Sequence, residues 1–328
     1  MPFKICVVGC GGHSSYTHGP AFKRYVRDFK ETSLAACCDL DKDKAKKYCE
    51  EFGFRKYYTD VELMLDSEKP DAVALILPEF IEAQVAARIL EKGYPLILEK
   101  PPGKDSNETR LLIEAAKKYN VPNQVAFNRR YHPIVREMKK ILKAEHAADA
   151  IQNIRYEMYR YNRTENIFWA TAIHGFDLVR DLAGSDYKHI QVFYQDFPAL
   201  GENVSNFFMY CTFKSGATAQ LSFCPIGGIN SEQAAINIKD HTFILDIGYY
   251  TKGTLKQYTQ NDQLIRDIKG EDLFTAERVY DYNGYYHENE DFFNDIRNGR
   301  YPAGDLTTCV QSMEVAEGIA KKLTEMSW

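Results

Sequence analysis

Up to residue 127 the chain alternates short apolar runs with longer segments whose apolar positions recur about every 3.6 residues. The runs are FKICVVG, SLAACCD, DAVALILP, YPLILEK and VPNQVAF. Between them lie PAFKRYVRDF, DKAKKYCEEF, EFIEAQVAARILEKG and SNETRLLIEAAKKYN. Continuous apolar runs suit strands buried on both faces, and their alternation with helices predicts a parallel sheet covered on both sides. From residue 128 the pattern changes. After one more helical segment, PIVREMKKILKA, come IQNIRYEMYRYN, HIQVFYQDF, NFFMYCTF, ATAQLSF, AAINIKD and TFILDIG, which alternate with a period of two. Such segments predict antiparallel strands with one face buried and the other wet or paired with a second chain. Two helical segments, ENEDFFNDIRNG and LTTCVQSMEVAEGIAKKL, close the chain. The expected architecture is an α/β domain over residues 1–127 and an α+β domain over 128–328 with an open, mostly antiparallel sheet.

Length and composition narrow the field. The chain has 328 residues, 45% hydrophobic and 27% charged, enough for two domains that each bury a core. The formal net charge is −5 and no segment concentrates Lys and Arg, so no nucleic-acid partner is expected. No apolar run reaches membrane-spanning length, and MPFKICVVGCGGHSS turns to glycine too early for a secretory leader. The eight cysteines form no CxxC pair and no zinc spacing, so no metal is expected; several lie in apolar runs, as small hydrophobes do. A reducing, cytoplasmic setting follows as the expectation.

The candidate chemistry begins at KICVVGCGGHSS. Gly9 permits a tight turn after the first strand, and Gly11 lets backbone approach a pyrophosphate with no Cβ in the way. The following helix start offers unpaired N–H groups to the same negative charge. Gly12 and His13 continue the turn, and Ser14 stands where a third small residue is usual. Asp39 ends the next strand, where an acid can bind the adenosine ribose hydroxyls. Strand, turn, helix, strand and acid in that order point to a dinucleotide site of Rossmann type. Asp39 would repel a 2′-phosphate, which favours NAD over NADP. It could instead cap the DKDKAKKY helix, a task Asp41 could serve equally.

LILEKPPG then supplies a more specific motif: Glu99, Lys100 and Pro101 follow the fifth strand. Together with VVGCGG, AACCDLD, ALILP, AFNRRYHP, IHGFDLVRDLAG and FFNDIRNGRYP, it makes the chain resemble the Gfo/Idh/MocA oxidoreductases. The resemblance implies a Rossmann domain, followed by a substrate-binding domain whose open sheet serves homodimer or homotetramer contacts. It implies hydride transfer between NAD(P) and a sugar, cyclitol or related hydroxy compound. The cofactor contacts would include Pro78, Glu82, Glu99 and Lys100. Lys100 and His174 would be catalytic, since a carbinol carbon gives up hydride only as its hydroxyl gives up a proton. An ammonium beside the developing alkoxide favours the same step. Asp177, one turn beyond His174, would hold a substrate hydroxyl or orient the imidazole, unless it pairs locally with Arg180. Arg130 and Tyr131 of NRRYHP would grip a polar substrate, with Arg129 and His132 as further candidates and one arginine reserved for an ion pair between domains.

Two positions depart from the family's pattern. Many members have an Asp four residues before the histidine, where this chain has Ala170, and Thr171, Glu165, Tyr159 or Tyr161 could stand in. Relatives often have a His where this chain has Glu82, which, like Glu79, could simply complement a helix N-terminus. Two alternatives stay open: a redox-neutral NAD-dependent glycosidase, which the resemblance allows because some family members are such enzymes, and a non-catalytic sensor of NAD(H) or a sugar, which Ala170 supports.

Overall fold

The computed structural model describes residues 2–147, 149–248, 251–274 and 278–328. Its first half follows the strand–helix alternation. Strand β1 (Phe3–Val8) leads through short α1 (Gly12–Tyr16) into α2 (His18–Asp28), then β2 (Thr32–Cys38), α3 (Lys42–Phe52) and β3 (Lys56–Tyr58). There follow α4 (Val61–Glu68), β4 (Ala72–Leu75), α5 (Glu79–Glu91), β5 (Leu96–Leu98), α6 (Ser106–Tyr119) and β6 (Asn123–Val125). The six strands pair in parallel in the order β3-β2-β1-β4-β5-β6. Every residue of β2, β4, β5 and β6 is buried, the burial that their unbroken apolar runs require. The chain reverses direction across the sheet at β1 and β4, a topological switch point beside which open parallel sheets bind ligands. Side chains of Asp41, Asp60 and Asp105 accept backbone N–H bonds at the starts of α3, α4 and α6.

The second half opens with a tight 3-10 turn at Asn128–Tyr131 and α7 (Pro133–Glu145). Then come β7 (Ile151–Tyr159), α8 (Trp169–Ala183), β8 (Tyr187–Asp196), β9 (Ser205–Phe213), β10 (Thr218–Cys224), β11 (Ser231–Ile238), β12 (His241–Asp246), β13 (Thr254–Thr259), β14 (Gln263–Lys269) and short α9 (Gly270–Leu273). With β15 (Glu325–Ser327) these strands form a nine-stranded sheet in the order β14-β13-β12-β11-β7-β10-β9-β8-β15. All neighbours are antiparallel except β7 and β10, so the sheet is mostly antiparallel as expected. Helix α8 lies close against this sheet because Gly175 has no side chain: a Cβ there would come 2.5 Å from the Tyr156 ring and 2.8 Å from that of Phe223.

The remaining helices, α10 (Val279–Tyr282), α11 (Tyr285–Arg297) and α12 (Val310–Ala320), divide between the two halves. The chain resolves into one unit of Met1–Asn128 with Val279–Val310 and another of Arg129–Arg278 with Gln311–Trp328. This division differs from an uninterrupted second domain over 128–328 in one segment, Val279–Val310, which packs with the first unit. The reason is packing: Tyr286, Phe292 and Phe293 of α11 are buried in one cluster with Phe22 and Tyr25 of α2 and Ile5 of β1. A helical period shows that a face must be covered but not which sheet covers it.

Candidate active site

The glycine turn follows β1. Gly9 has φ +99°, and a Cβ on it would lie 2.0 Å from the Ile76 carbonyl oxygen, so only glycine fits. Gly11 and Gly12 are different. A Cβ at either would meet nothing within 4 Å, so the protein's own packing gives no reason for their bareness. They leave clear the ground a pyrophosphate would cover, and this is how the chain's residues fit a dinucleotide. A cleft of about 440 Å³ opens there, lined by Cys10–Gly12 and by Lys44 and Lys47 of α3.

Asp39 ties the end of β2 to this turn. Its Oδ2 accepts from the Cys10 N–H (2.9 Å) and its Oδ1 from the Asp41 N–H (2.9 Å). The α3 cap is Asp41, which accepts from Asp43 and Lys44. Ser14 does not face the cleft. It is fully buried and donates to the Tyr48 hydroxyl (2.9 Å), which gives it a packing role between α1 and α3 where a cofactor contact is expected.

Glu99 stands at the end of β5 as a buried carboxylate with three converging donors. Oε1 accepts from His13 Nε2 (3.0 Å) and His18 Nε2 (2.9 Å), and Oε2 from the Lys100 backbone N–H (3.0 Å). Burial works against the charge, but the two imidazoles more than offset it and hold the carboxyl well below its usual range. His13, His18 and Glu99 are grouped closely enough to suggest a metal site. The hydrogen bonds argue otherwise. Asn289 Nδ2 donates to His18 Nδ1 (3.0 Å), so the His18 ring hydrogen is on Nε2, and a nitrogen that donates has no lone pair for a metal.

Pro78 precedes α5 as its N-cap residue and supplies no side-chain bond. Glu82, in the first turn of α5, is only 1% exposed, and its Oε1 has no hydrogen-bond partner among the described residues. Burial, with the neighbouring Glu99 charge adding to it, pushes its carboxyl well above the ordinary range. With its charged form disfavoured by burial, Glu82 gives a helix N-terminus little complement, unlike the half-buried Glu79. Lys100 is half-buried.

In the second unit His174 lies buried on α8. Asp177 is 1% exposed, and Arg130 grips it with a two-pronged fork, Nε to Oδ2 at 2.6 Å and a terminal nitrogen to Oδ1. Ser312 of α12 donates to the same carboxylate (3.2 Å). Burial disfavours the Arg130 charge, but Asp177 more than offsets this and holds the guanidinium charged beyond its usual range. Two residues expected to meet substrate thus meet each other, while Arg180 pairs with Asp186 instead. Arg129 is engaged likewise within its unit. Glu232 of β11 accepts from Arg129 Nε (2.7 Å) and the Tyr156 hydroxyl (3.0 Å), with Arg160 3.1 Å away. Burial raises that carboxyl, yet the two guanidiniums carry it down to about 2. His132 is buried, its Nδ1 accepting from the Ile134 N–H (3.2 Å) to cap α7, which corrects its candidacy as a substrate ligand. Tyr131 is half-buried in the 3-10 turn.

Around Ala170, Arg163 donates to both Glu165 (2.5 Å) and the Thr171 hydroxyl (2.9 Å), and Tyr159 donates to Glu157 (3.0 Å). Tyr161 is exposed. Sequence reasoning passed over His18, Asn289, Arg160 and Glu232, which lie far apart in the chain and carry no motif. His18, Asn289 and Glu232 each have polar or glycine neighbours in the chain, so no local pattern marks them out.

The description "Oxidoreductase family, NAD-binding Rossmann fold" matches residues 3–127, and "Oxidoreductase family, C-terminal alpha/beta domain" matches residues 160–328. The scyllo-inositol 2-dehydrogenase (NAD(+)) of Bacillus subtilis is 23% identical over 96% of this chain and 92% of its own. Oxidoreductase P35 of Formosa agariphila is 25% identical over 56% of this chain, which spans 55% of that relative's length. An inositol 2-dehydrogenase of Corynebacterium glutamicum is likewise matched over about half its length, 52%, at 25% identity. Among solved structures, levoglucosan dehydrogenase in complex with NADH superposes with a TM-score of 0.85 at 18% identity, over 100% of this chain and 99% of that one. Glycine turn, EKP motif and both sheets agree with these matches: the chain belongs to the Gfo/Idh/MocA oxidoreductase family, with the family's NAD-binding Rossmann fold followed by its C-terminal alpha/beta domain.

Proposed function

We propose that the chain is an NAD-dependent dehydrogenase acting on a carbinol of a small polyhydroxylated compound, a sugar or cyclitol. The observation that carries this is the Glu99–Lys100 corner: a buried carboxylate binds the Lys100 N–H and so fixes the backbone from which an ammonium projects. Relatives named inositol 2-dehydrogenase, D-glucoside 3-dehydrogenase and D-apiose dehydrogenase support the substrate class. NAD, when bound over Gly11 and Gly12, supplies the hydride acceptor. Lys100 would stabilise the alkoxide form of the substrate hydroxyl, and His174 would take the hydroxyl proton and return it in the reverse direction. With Asp177 and Arg130 joined to each other, direct grip on substrate falls to Tyr131 and to groups outside that pair.

The nine-stranded sheet would mediate a homodimer or homotetramer. Its exposed Phe193 and Tyr210, with ring centroids 6.1 Å apart, support this. The cysteines are all free thiols, in keeping with a reducing, cytoplasmic setting. No helix among the described residues is long and apolar enough to cross a membrane.

Ala170 favours one other reading, a non-catalytic NAD(H)-binding sensor. A single assay separates the two. Purified protein is given NAD and a panel of sugars, sugar acids and cyclitols, and the absorbance of reduced nicotinamide is followed beside a Lys100→Met control. Turnover that falls on the order of 10²–10³-fold in the control establishes the dehydrogenase. Tight NADH binding without turnover on any compound establishes the sensor.

A further inference from the structure

The hydrogen bonds around Glu99 have a fixed polarity. The Tyr285 carbonyl oxygen can only accept, so the Asn289 atom 2.7 Å from it is the amide nitrogen, which also donates to His18 Nδ1. A second proton on His18 would face that N–H head-on. His18 is therefore held as a neutral donor to Glu99. His13 has no such neighbour. Its Nε2–H donates to the same carboxylate oxygen, while Nδ1 makes no hydrogen bond to a described residue. The ring is 48% exposed and sits two residues beyond Gly11. Nδ1 can thus take either of two forms: a lone pair, which repels an anion, or an N–H, which binds one.

Building on the NAD-binding reading of the first unit, we propose that His13 is a proton-linked anion contact: cofactor binding at the glycine turn draws a proton from solvent onto Nδ1. In the bound state the imidazolium donates Nε2–H to Glu99 and Nδ1–H to a pyrophosphate oxygen. Glu99 is its counter-ion, already in place before the cofactor arrives. The other titratable groups near this ring are Glu99 and Lys100 after β5, His18 on α2, Tyr285 on α11 and Glu82 on α5. Glu99 stays ionised and His18 is locked by Asn289. Burial and the Glu99 charge favour the protonated form of Glu82, and a Glu82 variant separates its part in the uptake from that of His13.

The test is calorimetric titration with NADH, from about pH 6 to about pH 9 to span imidazole titration, in buffers of differing ionisation enthalpy. Wild-type protein should take up close to one proton per NADH at the alkaline end. Its affinity should fall there by up to about tenfold per pH unit. His13→Gln should bind more weakly, with no uptake and no pH dependence. His13→Lys, which keeps a cation at every pH of the series, should bind tightly and independently of pH. Glu82→Gln should leave the uptake intact. Uptake that persists in His13→Gln, or wild-type binding without uptake, overturns the proposal while leaving the NAD reading standing. A wild-type protein that binds no NADH at all removes both.

Discussion

Glu99 in the first unit and Glu232 in the second are both buried anions, yet they are held by different kinds of partner. Glu232 accepts from Arg129 and Tyr156 and sits against Arg160, and neither guanidinium gives up its proton in any ordinary pH range. Glu99 is held by two imidazoles and one backbone N–H. A carboxylate between guanidiniums has one charge state and one task, which is to join β7, β11 and the 3-10 turn within its unit. A carboxylate beside an imidazole has a neighbour whose charge a ligand can alter. The choice of cation separates scaffold from chemistry here better than burial does, since both acids are buried.

The largest expected effect lies on the scaffold side. Glu232→Ala leaves Arg129 and Arg160 facing each other without a counter-ion, and should cost about 3–5 kcal/mol in urea unfolding. The same acid gives a pH signature. Its folded-state value, about 2, is below the unfolded carboxylate value of about 4.3, so its contribution is complete above the latter and is lost as pH falls through the former. It amounts to about 3 kcal/mol, and the loss should be confined to that acid window and absent from the Ala variant. An acid-unfolding curve unchanged by the substitution would remove the contrast with Glu99.

Asp177→Asn is the next test and bears on substrate. The amide keeps one acceptor for Arg130 but not the charge, so stability should fall by about 2 kcal/mol. Because Asp177 is enclosed by Arg130 and Ser312, KM measured below the melting range should stay within about twofold of wild type. A KM that climbs while the melting temperature holds would return Asp177 to the substrate.

These pairs also mark how far the sequence could be read. The parallel sheet was legible because β2, β4, β5 and β6 are unbroken apolar runs, and the cofactor turn because its glycines are adjacent in the chain. The Glu99–Lys100 corner after β5 was marked by its motif. The α11 docking, the parallel β7–β10 pair and the Arg130–Asp177 fork were not, since each is a choice of distant partner that local periodicity does not encode. Arg130 and Asp177 look on paper like two substrate ligands because the same chemistry that grips a substrate grips a neighbouring side chain. The Glu99 cluster escaped for a related reason: His18, Glu99 and Asn289 come from three segments whose meeting depends on where α11 packs.

A smaller effect, on binding and not on folding, is expected at Gly11. Its φ of −73° suits any residue and a Cβ would meet nothing, so Gly11→Ala should leave stability unchanged or raise it by up to about 1 kcal/mol. If the vacant ground belongs to a pyrophosphate, NADH affinity should fall about tenfold or more in the same variant. Undiminished NADH binding would mean that the cofactor lies elsewhere.

The smallest effect sharpens the boundary between scaffold and site inside the turn itself. Ser14→Ala deletes the donor to the buried Tyr48 hydroxyl and should cost about 1 kcal/mol, with NADH affinity unchanged within about twofold. Gly11 and Ser14 are three residues apart in one motif, yet these two substitutions should separate cleanly, one read in binding and the other in unfolding. If Ser14→Ala instead weakens NADH binding at full stability, the serine faces the cofactor. The motif would then be cofactor-facing throughout, and a change of function between residues three apart would no longer describe it.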